Sequence, residues 1–318
     1  MLQAERPVPH TGGGAEADKR EAEKQGRTRL SSSPLPFNKN KNRRVEYLTM
    51  SSRTFLYDEL SWPEVRDAPK DTVIVIPVGT LEDHGPHLPI NTDVAIVEAV
   101  SRKAVEMEKD IALIVPTQVH GYSPHHMDFP GTITIEGRVF LDYMRDIVRS
   151  LAHHGFRRML LVNGHGSNSA WLENAARLSI VEMPHILCAT VNWWAIPEVA
   201  EKVKTMRDSE RGGTSHACEL ETSLMLAIRP ELVHMDKAVK DISYPTSRYF
   251  PAWDFYYPSG PVHMMRYWST MSGTGVMGDP TKASAQKGQA WLEAAVEGLR
   301  GIIREFHGLE ITDRVDHH

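Results

Sequence analysis

Short apolar runs alternate with longer amphipathic stretches along most of this chain, and this alternation limits the possible folds more than any other feature. The predicted strands are Val73–Val78 and residues 111–115, 159–162 and 186–191. The predicted helices are residues 93–107, 136–154, 167–182, 216–228 and 282–306. Alternating strands and helices favour parallel strand pairing. We therefore predict an α/β fold, with a mostly parallel sheet flanked by helices on both faces.

The first part of the chain differs in composition from the rest. Residues 1–52 are polar and nearly free of large apolar side chains, so they cannot bury enough surface to offset the entropy of ordering. We predict a disordered N-terminal tail there, with Met50 as a natural beginning of the folded part. No linker-like stretch interrupts the remainder, which predicts a single domain at 53–310 and a short C-terminal tail at 311–318. Within that domain, residues 239–280 lack periodicity and are expected to be irregular.

Composition narrows the class of protein. The net charge of -5 and the absence of a basic stripe argue against binding of nucleic acid. No stretch approaches the roughly 20 apolar residues of a membrane-spanning helix. The two cysteines, Cys188 and Cys218, are too few for a disulfide framework and fit a reducing cytoplasm. Because neither cysteine has zinc-finger spacing, we expect any metal to be held by histidine, aspartate and glutamate.

A cluster of ligand-type residues follows the first predicted strand. Glu82 and His84 are two residues apart, so in an extended segment they project to the same side. Asp93 follows a turn with two prolines and can fold back toward them. The alternative is an exposed polar loop with a helix N-cap at Thr92 or Asp93. The number of ligand-type residues in this stretch favours a metal site, because carboxylate and imidazole suit zinc or manganese.

Two further segments carry histidine beside glycine or glutamate. His165 follows the third predicted strand between two glycines, which let a ligand approach closely. A plain strand-to-helix turn explains His165 equally well. Farther on, His216 and Glu219 are three residues apart and would share a helical face, with Glu221 nearby. Complementing the helix dipole would explain one of these glutamates, but two glutamates and a histidine less well.

Aromatic and imidazole side chains mark two further candidate segments. Tyr122 and His126 belong to a loop that either lines a substrate pocket or lies on the surface. Trp193 and Trp194 follow the fourth predicted strand. Their flat apolar surfaces suit a pocket wall, although core packing is the stronger expectation for at least one of them.

In this order, the segments resemble the creatininase (creatinine amidohydrolase) family over about residues 54–306. The resemblance rests on several separated matches together: residues 82–89 with Asp93, and residues 129–132, 163–168, 216–223 and 278–280. It implies a layered α/β fold with two divalent metals, zinc with zinc or manganese. It also implies homo-oligomers, including hexamers. Two departures matter: Ser167 stands where creatininase has a metal-binding glutamate, and Gly212-Gly213 where it has a tryptophan.

The resemblance assigns roles residue by residue. It implies that Glu82, Asp93 and His165 hold one metal, and that His84 holds the other with Asp93 as the bridge. Glu219 is expected to replace the missing glutamate. The remaining implied roles are proton transfer for His216, support of it by Glu221, and substrate contact for Tyr122, His126 and Trp194.

The expected function is hydrolysis of a small-molecule substrate. A hydroxide on the metals would attack the carbonyl of a small, cyclic amide. The alternatives are hydrolysis of a carbon–carbon bond in a cyclic keto-sugar such as a keto-inositol, and deformylation of a formamide. The alternative outside enzymes is an inactive metal-binding structural protein. Because of the second departure, creatinine itself is not the expected substrate.

Overall fold

The centre of the molecule is a parallel sheet of four strands. The structure is a computed structural model that describes residues 54–244, 248–250, 254–257 and 261–318, so the predicted tail at 1–52 lies outside the described residues. The strands are β1 (Val73–Val78), β2 (Ala112–Ile114), β3 (Arg158–Asn163) and β4 (Leu187–Asn192). All neighbouring pairs are parallel, in the order β2-β1-β3-β4. The predicted strands are therefore confirmed, with no end shifted by more than one residue.

Helices cover both faces of this sheet, which confirms the predicted fold class. They are α1 (Trp62–Asp67), α2 (Thr92–Met107), α3 (Gly137–His153), α4 (Ser169–Glu182), α5 (Pro197–Met206), α6 (Glu219–Ile228) and α7 (Ala285–Gly308). Successive side chains of a strand point to opposite faces. Accordingly, Val73 and Val75 of β1 pack in one apolar cluster with α2, α5, α6 and α7. Ile74 and Ile76 pack in a second cluster with α3 and α4.

The strand order reverses between β1 and β3, and this reversal creates a crevice. The two strands pair along their whole length, from Val73 opposite Arg158 to Val78 opposite Asn163, so their carboxyl ends lie side by side. Helix α2 follows β1 onto one face, and α4 follows β3 onto the other. Because the chain leaves these strands in opposite directions, the space beyond them stays open for a ligand.

Some elements differ from the sequence predictions. The helix predicted at 216–228 begins only at Glu219, because Thr214–His216 forms a strand, β5, that pairs antiparallel with β6 (Met277–Gly278). Helix α5 was not expected, although Pro197 at its first position and its buried valines four residues apart are typical of a short amphipathic helix. The described part of 239–280 contains β6 and short 3-10 turns but no α-helix, which confirms the irregular structure predicted there.

Among the described residues, no helix combines the length and the apolar character that a bilayer crossing requires.

Candidate metal centre

The loop after β1 brings Glu82, His84 and Asp93 to the crevice. The backbone N–H of Glu82 donates to the carbonyl of Ile90 at 3.0 Å, which closes the loop on itself. Thr92 donates its hydroxyl to the carbonyl of Pro89 at 2.7 Å and fixes the start of α2. Asp93 in the first turn of that helix thus lies back over the loop, as the sequence predicts.

The loop after β3 supplies His165 from the neighbouring strand. Its backbone N–H donates to the side-chain oxygen of Asn163 at 3.0 Å, while the Asn163 amide donates to the carbonyl of His165 at 2.8 Å. Gly164 between them has no room for a side chain, since a Cβ would lie 2.9 Å from the carbonyl oxygen of Asp93. This close approach places the His165 loop directly against α2.

The segment from β5 to α6 contributes the third set of side chains. Ala217 has a φ of 49°, a left-handed conformation that is uncommon for a residue with a side chain. Its backbone turns the chain sharply, so that His216 ends β5 and Glu219 opens α6. All three residues are buried.

Asp93 lies between two imidazoles and faces each with a different oxygen. Its Oδ1 is 3.2 Å from Nε2 of His84, and its Oδ2 is 3.2 Å from Nδ1 of His165. The same Nδ1 lies 3.1 Å from Oε1 of Glu82. On the other side, Nε2 of His84 is 3.9 Å from Oε1 of Glu221. The two carboxylates and two imidazoles that the sequence singled out first therefore converge, with Asp93 between the two imidazoles.

The unsatisfied atoms of this cluster fit bound cations. Glu82 Oε1, His84 Nε2 and Asp93 Oδ2 are buried without a hydrogen bond among the described residues, although neighbouring polar atoms lie 3.1–3.2 Å away. Buried polar groups normally have partners. Two ligands that are each about 2.0–2.1 Å from one tetrahedral ion lie about 3.3 Å apart, so these spacings suit shared coordination better than mutual hydrogen bonds.

Charge leads to the same conclusion. Burial alone would lower the pKa of His84, but the Asp93 carboxylate beside it raises that pKa to about 10. Burial also opposes protonation of His165, yet Glu82 and Asp93 raise its pKa to about 10. The buried carboxylates therefore stabilise positive charge placed beside them. Divalent cations bound to neutral imidazoles would supply it.

Glu219 does not belong to this cluster, which corrects the ligand assigned from the sequence. Its buried carboxylate accepts hydrogen bonds from the backbone N–H groups of Asp208 at 3.0 Å and Ser209 at 2.9 Å. It also pairs with Lys287 Nζ at 2.6 Å. Positions two apart on a helix point about 200° away from each other, so only one of Glu219 and Glu221 can face the crevice.

Glu221, rather than Glu219, faces the crevice beside His84. Its carboxylate forms a group with His84 and His216 whose ligand atoms lie within 4.8 Å of one another. Because His216 lies in β5 rather than in a helix, its expected pairing with Glu219 on one helical face was wrong. The expected support of His216 by Glu221 stays a prediction, and His216 Nε2 contacts the backbone carbonyl of Asp83 at 2.8 Å.

Asp83 is a site residue that sequence reasoning missed. Its Oδ1 accepts from Nδ1 of His126 at 2.8 Å, and its backbone carbonyl holds His216. Burial favours the neutral acid, but hydrogen bonds from His126 and His216 outweigh it and lower the pKa of Asp83 to about 2. The available signal was its position between Glu82 and His84.

A cavity of about 560 Å³ opens above the cluster. The three predicted substrate-contacting residues, Tyr122, His126 and Trp194, all line it. Sequence reasoning did not select several other lining residues: His125, Trp171, Phe255, Arg266 and Trp268. The ring of His126 stacks on Trp268 with centroids 4.4 Å apart, which closes one wall.

Sequence comparison connects this geometry with known hydrolases. The family model described as creatinine amidohydrolase matches residues 58–303. The chain is 32% identical to a creatinine amidohydrolase of Pseudomonas putida, over 80% of this chain and 98% of that protein. It is 28% identical to a 3-dehydro-scyllo-inosose hydrolase of Thermotoga maritima, over 78% and 82%. A mycofactocin precursor peptide peptidase of Mycobacterium ulcerans is 32% identical, over 68% and 78%.

Solved structures agree on the fold. A structure described as creatininase Mn superposes with a TM-score of 0.67 at 30% identity, covering 81% of this chain and all of that one. A mutant creatininase described as Zn-Zn type gives the same TM-score, identity and coverage. The similar structures therefore include both manganese and zinc forms.

Proposed function

Because the chain belongs to the creatininase family, whose members compared above are hydrolases, we propose that it is a two-metal amidohydrolase acting on a small, cyclic amide. The observation that carries the proposal is the position of Asp93, with one carboxylate oxygen toward His84 and the other toward His165, each at 3.2 Å. A carboxylate with this arrangement suits a bridge between two cations.

The donor set supports one ligand group on either side of this bridge. Glu82 and His165 would hold the first cation with Asp93, and His84 and Glu221 would hold the second. Oxygen and nitrogen ligands without cysteine suit zinc or manganese. When bound, such cations polarise a substrate carbonyl and lower the pKa of a coordinated water.

His216 is the residue best placed to move a proton. The Asp83 carbonyl accepts from its Nε2, so Nδ1 is the nitrogen left to accept a proton. That Nδ1 lies 3.7 Å from Oε1 of Glu82, at the edge of the cluster, and His216 lines the cavity. We expect His216 to take a proton from the attacking water and deliver it to the leaving nitrogen, a role worth about 10²–10⁴-fold.

Three observations support substrate contact by the predicted residues. Tyr122 packs against Trp171 with ring centroids 5.1 Å apart, and Trp194 stacks on Phe255 at 5.5 Å. These pairs provide flat apolar walls for a ring. His126, whose Nδ1 donates to Asp83, also lines the cavity.

The second candidate reaction is carbon–carbon bond hydrolysis beside a ketone in a cyclic keto-sugar. The relative described as a 3-dehydro-scyllo-inosose hydrolase favours it. The aromatic walls favour the amide, because their flat apolar surfaces suit a planar amide ring. Deformylation of a formamide would use the same metals.

A substrate screen combined with metal analysis tests the proposal. The metal-loaded protein would be incubated with creatinine, cyclic imides, formamides and keto-inositols, before and after chelation. We expect about two equivalents of zinc or manganese, and turnover of a cyclic amide that chelation abolishes. Turnover that survives complete metal removal would contradict the mechanism. Stable metal content without turnover of any class would favour the inactive metal-binding alternative.

The expected homo-oligomer stays a prediction of the family membership. Size-exclusion chromatography with light scattering would measure the subunit number, and a monomer at micromolar concentration would contradict it.

A further inference from the structure

The cavity wall contains a cationic side chain that the proposed mechanism does not use. Arg266 lines the cavity together with Met264, Met265 and Trp268. Residues 264–267 belong to neither a helix nor a strand. Its side chain is half-buried. The acids that line the same cavity are Glu82, Asp93 and Glu221, and none of them forms an ion pair with Arg266.

Arg266 differs in its contacts from comparable arginines. Within the described residues, every other arginine that is buried or half-buried binds an oxygen of the protein. These pairs are Arg145 with Glu182, Arg158 with the carbonyls of Phe306 and Leu309, Arg207 with Asp254, and Arg300 with Glu108. Arg266 has no hydrogen bond, ion pair or ring contact among the described residues.

A half-buried guanidinium without an acceptor is costly, because it has lost part of its hydration without compensation. Its planar fork of N–H donors matches a carboxylate, which it binds through two parallel hydrogen bonds. A carboxylate group on a substrate bound in the cavity would supply the missing acceptor. The buried Trp268 in the same wall lowers the local polarity and would strengthen such a pair.

The size of the cavity leaves room for a carboxylate-bearing substituent on the cyclic amide. Its volume of about 560 Å³ is within the range of sites that enclose drug-sized ligands. The two aromatic pairs, Tyr122 with Trp171 and Trp194 with Phe255, can contact an apolar body held between the metal ligands and Arg266.

We propose that Arg266 binds a carboxylate of the substrate, so that this protein acts on carboxylate-bearing amides with an apolar body. The inference rests on the proposed amide hydrolysis at the metal centre, and it adds the charge of the substrate. Arg266 is then a specificity-determining residue, which distinguishes anionic from neutral amides before the reaction begins.

Binding of two matched probes tests the inference without turnover. The metal-loaded full-length protein would be titrated calorimetrically with 3-phenylpropionate, an anion, and with 4-phenyl-2-butanone, a neutral ketone of the same shape. We expect the anion to bind about tenfold to hundredfold tighter, the range of a charge-assisted hydrogen-bond pair. Arg266→Met should remove this preference by weakening only the anion, and Arg266→Lys should restore part of it.

A charge-matched control separates local from general effects. Arg314 is 73% exposed in the C-terminal segment and does not line the cavity, so Arg314→Met should bind both probes as the unmodified protein does. A preference for the anion that persists in Arg266→Met would show that the metals hold the carboxylate, and would overturn the inference. Equal weakening of both probes in that variant, or no preference in the unmodified protein, would overturn it as well. Failure of the hydrolysis screen with an Arg266-dependent preference intact would count against the proposed function alone.

Discussion

Substitution of Glu219 tests whether this residue stabilises the fold, as its contacts indicate, or binds metal. The contacts of Glu219 indicate a stabilising role, and those of Glu221 a place in the candidate metal cluster. The sequence instead assigned Glu219 as a metal ligand and Glu221 as the support of His216. Glu219 is fully buried, and its carboxylate accepts from two backbone N–H groups and from Lys287. Glu219→Gln should therefore destabilise the fold and leave the metals bound.

The expected magnitude follows from these contacts. Removing one partner of a buried ion pair costs about 3–5 kcal/mol. The lower end applies here, because the Lys287 side chain is 12% exposed and retains Asp208 as a second partner. We expect a loss of about 3 kcal/mol, which lowers the melting temperature of a domain of this size by about 6–12 °C.

Chemical unfolding of the chelated protein would measure this loss, since bound metals add stability of their own. Metal content would be measured separately after reloading. Lys287→Met should destabilise too, and the double variant should lose less than the sum of the two. Glu221→Gln is the matched control and should lose metal instead. The reasoning would be refuted by a Glu219→Gln variant that unfolds like the unmodified protein and fails to retain its metals.

Three further predictions each concern one side chain or one glycine. Asp93→Asn should reduce the metal content, measured by mass spectrometry, below one ion per chain, because one carboxylate oxygen faces His84 and the other His165. Full retention of metal would contradict the proposal that Asp93 bridges two cations. Gly164→Ala should cost about 1–3 kcal/mol in denaturant unfolding, since the new methyl group would lie 2.9 Å from Cβ of Val97; unchanged stability would contradict this packing. Burial raises the pKa of the Cys188 thiol to about 12, so iodoacetamide at pH 8 should label it far more slowly in the native than in the denatured protein.

The fold could be predicted from the sequence because its signals are local. Each strand of the sheet is a short apolar run, and the helices between strands have regular apolar spacing. The order of strands in the sheet is not local, since it depends on which face each helix covers. Because β1 and β3 are neighbours in the sheet, the loops that carry Glu82 and His165 meet. The topology thus brings together residues that the sequence had already indicated.

The incorrect part of the site prediction has a definite physical origin. Treating 216–228 as one helix put His216 and Glu219 on the same face. The left-handed Ala217 interrupts that helix, and no glycine or proline marks the position. Such a conformation costs about 1–3 kcal/mol and persists only where the surroundings determine it. Here β5 fixes His216 on one side and α6 begins on the other.

The packing of α6 explains why Glu221 and not Glu219 faces the crevice. Once α6 begins at Glu219, its axis and phase are set by its buried residues Leu220 and Leu224, four apart against the core. Glu219 then points toward Lys287 of α7, and Glu221 toward His84. A helix that started three residues earlier and buried the same two leucines would keep this phase, so the core packing of Leu220 and Leu224 decides which glutamate faces the crevice.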